Sequence, residues 1–229
     1  MKLFEKQEDL GNLSYKELEA KAQKCTKCVL SKTRTKVVFG HGPVPCDLML
    51  IGEGPGEKED LSGLPFVGRA GQLLTQILSS INIDREKDIY IANIVKCRPP
   101  ENRAPQTEET EACYPYLEAQ IKLINPKIIL LAGAPSTKVV LKNEEPISKI
   151  RGQWFKLPCL PAGTAGTDIN VMPIFHPSYL LRNQSKDVGS PKWLTWQDMK
   201  EVRGALDFLK AAKELGAYQE PEAKRLGSS

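Results

Sequence analysis

Three apolar, strand-like runs in this sequence carry polar residues that can do chemistry near their ends. "DLMLIGEG" (47–54) finishes on Glu53 and Gly54, "DIYIANIVKC" (88–97) holds Asn93 late in the run, and "INVMPIFHPS" (169–178) holds His176. A carboxylate, an amide and an imidazole can together grip a polar ring, because they offer negative charge, a paired donor and acceptor, and a tunable donor. The turn after the first run, "GEGPGEKED", has Gly52, Gly54 and Gly56 within five residues. A glycine-rich turn after a strand commonly closes backbone N–H groups around a phosphate. Glu53, Glu57, Glu59 and Asp60 crowd this one, and carboxylates repel phosphate, so a different ligand is expected. Glu57 and Asp60 read as solvated or helix-starting acids.

The cysteines suggest a second chemistry. Cys25 and Cys28 form C-x2-C, Cys97 ends the second strand-like run, and Cys113 follows 16 residues later. Four such thiolates can bind zinc or an iron–sulfur cluster. Zinc sites usually have a second close pair, which is missing here, yet spacing alone leaves zinc, iron–sulfur and no metal all open. Cys46 and Cys159 lack partners by spacing and read as small buried apolar residues.

The surrounding elements would bring these residues together. A fourth apolar run, "PKIILLAGA" (126–134), joins the three above, and helical patterns separate the runs. "SYKELEAKAQKC" opens with Ser14 and Glu17 as a capping box, and "GRAGQLLTQILSSI" puts Leu73, Leu74, Ile77, Leu78 and Ile81 on one face. "TEETEACYPYLEAQIKLI" begins with Thr107 as cap and is expected to kink or break at Pro115. A short helix is expected near 135–142, a hairpin or loop over "SKIRGQWFKLPCLPAG", and a last helix over "TWQDMKEVRGALDFLKAAKEL" with Met199, Val202, Leu206 and Leu209 aligned. Alternating strands and helices predict a four-stranded parallel sheet in a three-layer α/β/α fold. Such sheets bind ligands beyond the carboxyl ends of their strands, where Glu53, Asn93 and His176 fall.

Composition sets wider bounds. The 229 residues, with a formal charge of +4, allow one large α/β domain or two small ones, and one domain over 1–215 followed by a polar, frayed tail over 216–229 is expected. The mild positive charge permits nucleic acid as a partner without pointing to it. No apolar run reaches membrane-spanning length and the N-terminus lacks a signal-peptide core, so the chain reads as cytoplasmic. In that compartment six cysteines argue against a disulfide framework.

Taken together, "CTKC", "GEGPGEKED", "GLPFVGRAGQLL", "NIVKCRPPENRAP", "RGQW", "HPSYLLR" and "SPKWLTWQDMKEV" resemble the family 4 uracil-DNA glycosylases. The segments run in family order from residue 25 to about 202. Each is weak by itself, while their joint occurrence is specific. The resemblance implies a 4Fe–4S cluster on Cys25, Cys28, Cys97 and Cys113 with a structural role. It also implies a monofunctional glycosylase that flips uracil from single- or double-stranded DNA and uses water as nucleophile.

Residue roles follow from the same resemblance. His176 is expected to donate to uracil O2, Asn93 to read the Watson–Crick edge, and Phe66 to stack on the base. Gly52 and Gly54 let backbone approach the flipped nucleotide. Glu59 is expected to crowd uracil C5 and exclude the methyl group of thymine. The better-known branch of the superfamily has G-Q-D-P-Y at this turn. Gly54 stands at its aspartate position and Glu53 one residue earlier, so Glu53 is expected to position water and stabilise the sugar cation. Arg98, Arg103, Arg182, Lys186 and Lys192 are candidates for phosphate contacts, and Leu180 or Leu181 for filling the gap left by the flipped base.

A branch that traps its product through a histidine in an inserted loop is disfavoured, since only His41 and His176 are present and no such insertion is. The family 5 branch lacks a glutamate at the position of Glu53. A non-catalytic iron–sulfur protein that binds DNA or carries electrons would explain the cysteines and basic loops, but not the convergence of Glu53, Phe66, Asn93 and His176. A monomer is expected, and a docking segment for a sliding clamp would sit in the C-terminal tail.

Overall fold

The protein is described by a computed structural model covering residues 10–157 and 168–216. Cys159 and the tail beyond 216 lie outside the described residues. Strands β1 (Leu48–Gly52), β2 (Tyr90–Asn93), β3 (Ile128–Ala132), β4 (Phe155–Leu157) and β5 (Ile169–Ile174) form one sheet in the order β2-β1-β3-β5-β4. The first three pairings are parallel, and β4 runs antiparallel to β5.

Strands β1 and β3 are apolar and buried at every position because helices cover both faces of the sheet. Successive side chains of a strand point to opposite faces, so Met49, Ile51, Ile129 and Leu131 enter one core with Leu18 of α1 (Tyr15–Gln23) and Leu117 and Ile121 of α4 (Thr107–Ile124). Leu48, Leu50, Ile128 and Leu130 enter the other, with Leu74 and Leu78 of α3 (Arg69–Ser79) and Met199 and Val202 of α8 (Pro191–Glu214). The helices α2 (Glu57–Ser62), α5 (Ala134–Leu141), α6 (Ile147–Ile150) and α7 (Pro177–Arg182) complete the fold. No helix among the described residues is long and apolar enough to cross a membrane.

The sheet has five strands, not the four expected. The extra strand, β4, lies where a hairpin or loop was expected and is too short to show a hydrophobic period. It covers the otherwise open edge of β5, pairing Phe155 with Val171 and Leu157 with Ile169. The Ser14–Glu17 capping box forms as expected. Gln106, not Thr107, caps α4, since the Glu109 carboxylate accepts from the Gln106 N–H at 2.8 Å. The helix runs through Pro115 unbroken. The last helix starts a turn early, at Pro191, with Ser190 accepting from the Trp193 N–H.

Candidate active site

Gly52 and Asn93 are register partners at the carboxyl ends of β1 and β2. His176 follows β5 and caps α7. Glu53, Gly54, Glu59, Phe66, Asn93 and His176 line one cleft of about 270 Å³. Gly52 lies beneath it: a Cβ there would overlap both the Asn93 Oδ1 atom and the Phe66 ring. Gly54 is pressed against Val95, leaving no room for a side chain. The sheet order thus gathers residues spread over more than half the chain.

The imidazole of His176 is oriented by the turn that follows it. Its Nδ1 lies 3.1 Å from the Ser178 backbone N and 2.8 Å from Ser178 Oγ. A backbone N–H can only donate, so Nδ1 is assigned as the acceptor and Nε2 carries the proton of the neutral ring. Burial, helped by the nearby Arg182 cation, lowers the pKa to about 4. At neutral pH the site therefore holds a neutral imidazole whose Nε2 donor has no hydrogen-bond partner among the described residues. The Phe66 ring sits 5.7 Å away, tilted by 35°.

Asn93 is 2% exposed, and its Oδ1 has no hydrogen-bond partner among the described residues. An unpaired buried carbonyl oxygen costs about 1–3 kcal/mol, so at a cleft wall it marks the place of a donor on a ligand. The Glu53 carboxyl has no hydrogen bond or ion pair among the described residues, and burial raises its pKa. Its backbone is fixed to the loop after β2, with Val95 N donating to Glu53 O at 3.3 Å. Glu59 is committed to structure as well as to the cleft: Oε1 accepts from Val67 N at 2.9 Å and Gly68 N at 2.7 Å. The cleft thus offers an aromatic wall, an acceptor awaiting a donor, a donor awaiting an acceptor, and an unpaired carboxyl group.

Residues 39–200 match the model of the uracil DNA glycosylase superfamily. The chain belongs to the uracil DNA glycosylase superfamily. It is 47% identical to the type-4 uracil-DNA glycosylase of Thermotoga maritima over 169 residues, 73% of this chain and 83% of that protein. It is 43% identical to that of Saccharolobus solfataricus, over 70% of this chain and 74% of the relative. The type-4 enzyme of Sulfurisphaera tokodaii is 38% identical over 83% of this chain and 84% of its own.

In this superfamily member all four cysteines singled out by spacing, Cys25, Cys28, Cys97 and Cys113, line a second cavity with Arg34 and Lys96. Arg34 Nη1 donates to Cys97 Sγ at 3.2 Å, and the Lys96 backbone N to Cys113 Sγ at 3.3 Å. Lys96 is 2% exposed, and its Nζ donates to the Asn93 carbonyl at 2.7 Å. A buried ammonium calls for a nearby anion, and the ionisable groups facing it are Cys113 and Cys97, whose thiols burial pushes up in pKa. Among the described residues no group of three or more His, Cys, Asp or Glu is arranged to hold a metal ion. Four thiols lining one cavity, with a guanidinium and a backbone N–H directed at sulfur, are of the residue type that holds metal centres.

Not every expected residue reaches the cleft or the DNA side. Leu180 is a correction: it is 1% exposed, so α7 turns it inward, while Leu181 is half-buried and Arg182 and Lys186 are exposed. Arg103 does line the cleft, but its guanidinium is paired with buried Glu109, at 2.6 and 2.8 Å. Arg98 donates to Asn102, and Lys192 to Gln184. Asp60 lies in the first turn of α2, as a helix-starting acid would, but is not solvated: at 3% exposure it accepts from the backbone N–H groups of Thr35 and Lys36. Cys46 is buried as expected. The "RGQW" and "WQDM" segments meet in an ion pair between Arg151 and buried Asp198, away from the cleft. Sequence reasoning passed over Arg85, Gly71 and Lys96, which act on main-chain atoms and leave no pattern in the residue types.

Proposed function

We propose that the cleft receives a uracil flipped out of DNA and that the protein hydrolyses its N-glycosidic bond, initiating base-excision repair. The observation that carries this reading is the unpartnered Asn93 Oδ1, in a cleft that also holds a neutral imidazole donor and an aromatic ring. Uracil N3–H satisfies that oxygen, and the Asn93 amide group donates to uracil O4. Cytosine presents the reverse pattern and leaves the oxygen orphaned, at the cost of an unpaired buried group. Phe66 stacks on the base, and Glu59 closes the C5 edge against the methyl group of thymine. The bonds from Glu59 to the Val67 and Gly68 N–H groups keep that wall in place.

As the C1′–N1 bond breaks, its electron pair passes to uracil, and charge grows on O2. The His176 Nε2–H bond to O2 strengthens with that charge, which is selective stabilisation of the transition state. Positive charge on the sugar faces Glu53. The carboxyl is unpaired in the free protein and gains its partner only when the cation develops, which favours its ionised form. Glu53 and the backbone at Gly54 orient water toward C1′, where its oxygen forms the new bond and its proton neutralises the departing uracil anion. Arg182 and Lys186 contact phosphates, and Leu181 rather than Leu180 fills the gap in the stack.

Cys25, Cys28, Cys97 and Cys113 hold a 4Fe–4S cluster, balanced by Lys96 and Arg34. The bound cluster supplies a covalent cross-link between distant parts of the chain, and the hydrolytic step needs nothing further from it.

Oligonucleotides carrying a single U, T or C test the reading. Alkali-labile sites should appear only at U, without added magnesium. Binding of uracil-containing DNA without base release would overturn it in favour of a non-catalytic protein.

A further inference from the structure

Phe66 has φ of 51°, in the left-handed region that non-glycine residues seldom occupy and that persists only when the surroundings impose it. The φ and ψ of one residue set the relative direction of the two peptide groups on either side of it. Here both flanking carbonyls turn to one guanidinium. Arg85 Nη1 donates to the Phe66 carbonyl at 2.5 Å and to Thr75 Oγ1 at 3.2 Å, while Nη2 donates to the Pro65 carbonyl. Consecutive carbonyls diverge in extended chain and converge in helical-type conformations, so this grip holds Phe66 away from the extended region.

The same peptide is held from its other side. Val67 N–H, opposite the Phe66 carbonyl, donates to Glu59 Oε1, and Gly68 N–H joins it. Gly71 of α3 completes the seat, since the Phe66 carbonyl occupies the space a Cβ would need. The Phe66–Val67 peptide is thus fixed at its oxygen by a cation and at its nitrogen by an anion. Its Cα carries the ring that lines the cleft.

We propose that Arg85, which lies between α3 and β2 and does not itself line the cleft, is a positioning residue for base recognition, aiming the Phe66 ring by locking the Phe66–Val67 peptide. The proposal rests on the reading of Phe66 as the stacking residue. Arg85 reaches the base through the Phe66–Val67 peptide and chiefly through the Phe66 ring, so most of its contribution should vanish once the ring is gone.

A double-mutant cycle on a uracil oligonucleotide separates the two ideas. Phe66→Leu should lower kcat/KM by roughly 10- to 100-fold, the range of base–aromatic stacking. Arg85→Met should cost about tenfold in the wild-type background, in line with a small misplacement of a binding group. In the Phe66→Leu background the same change should cost less than about twofold, as expected of coupled groups. Arg85→Lys, which keeps the charge but loses the fork, should fall between wild type and Arg85→Met. If Arg85→Met does not fold, Arg85→Lys carries the same cycle. Equal losses in both backgrounds, or none in wild type, would overturn the clamp and leave the stacking role of Phe66 intact. A silent Phe66→Leu would instead remove the stacking reading on which the clamp rests.

Discussion

His176 offers its Nε2 donor because the ring stays neutral, and that neutrality has a consequence for stability. Its pKa falls from 6.5 to about 4 through burial and the Arg182 cation. Between those values the unfolded chain binds a proton that the folded protein does not, so stability rises with pH across the window. The contribution is fully present above 6.5 and lost as pH falls through about 4. The melting temperature of the wild type should therefore climb more steeply between pH 4 and 6.5 than that of His176→Asn. Parallel curves would show that the ring does not carry the shift. At this scale the sequence revealed what a strand end can present: Glu53, Asn93 and His176 stood out because polar residues closed apolar runs. It was silent wherever the partner is main chain. Arg85 binds two carbonyls and Asp60 binds two N–H groups, and every residue provides such groups, so no spacing or composition marks them. Leu180 eluded prediction for a related reason: a helix of six residues is too short for its period to show which leucine faces inward.

At the level of elements, the turn after β1, the loop over 63–68 and the first turn of α3 act as one unit, which gives a single glycine unusual leverage. Gly71 lies inside α3, where alanine would ordinarily stabilise by about 1 kcal/mol on helix propensity. Steric overlap with the Phe66 carbonyl opposes that gain. The carbonyl cannot retreat without leaving Arg85, and Val67 cannot follow without leaving Glu59. Gly71→Ala should therefore destabilise the protein in urea and lower uracil release together, against the propensity expectation. A variant more stable than wild type and fully active would mean the loop can shift freely. The strands themselves were legible because burial on both faces makes them continuous apolar runs. The fifth strand was not, since three residues, Phe155–Leu157, show no period and owe their conformation to the edge of β5.

For the molecule as a whole, the proposed cluster and the packing of α1 are two ways of attaching the N-terminal segment. Cys25 and Cys28 follow α1, Cys97 follows β2, and Cys113 lies within α4, so a cluster there ties the start of the chain to two elements of the main domain. The α1 helix also packs on α4 through Leu18 and Ala22, which enter the same core as Tyr116 and Leu117. Packing alone could therefore hold the segment, and the cluster's share has to be measured. A cross-link closing a loop of this size contributes about 4 kcal/mol by the loop-closure relation for disulfides. It would also give buried Lys96 an anion, and Lys96 donates to the carbonyl of Asn93. A Cys25→Ala/Cys28→Ala protein should therefore lack visible absorption, lose about 4 kcal/mol of stability, and be cut by protease before residue 35 ahead of cleavage elsewhere. If packing of α1 were sufficient, the same protein would lose its colour yet keep its melting temperature and its resistance to protease, and the cluster would then owe its place to something other than holding the chain together.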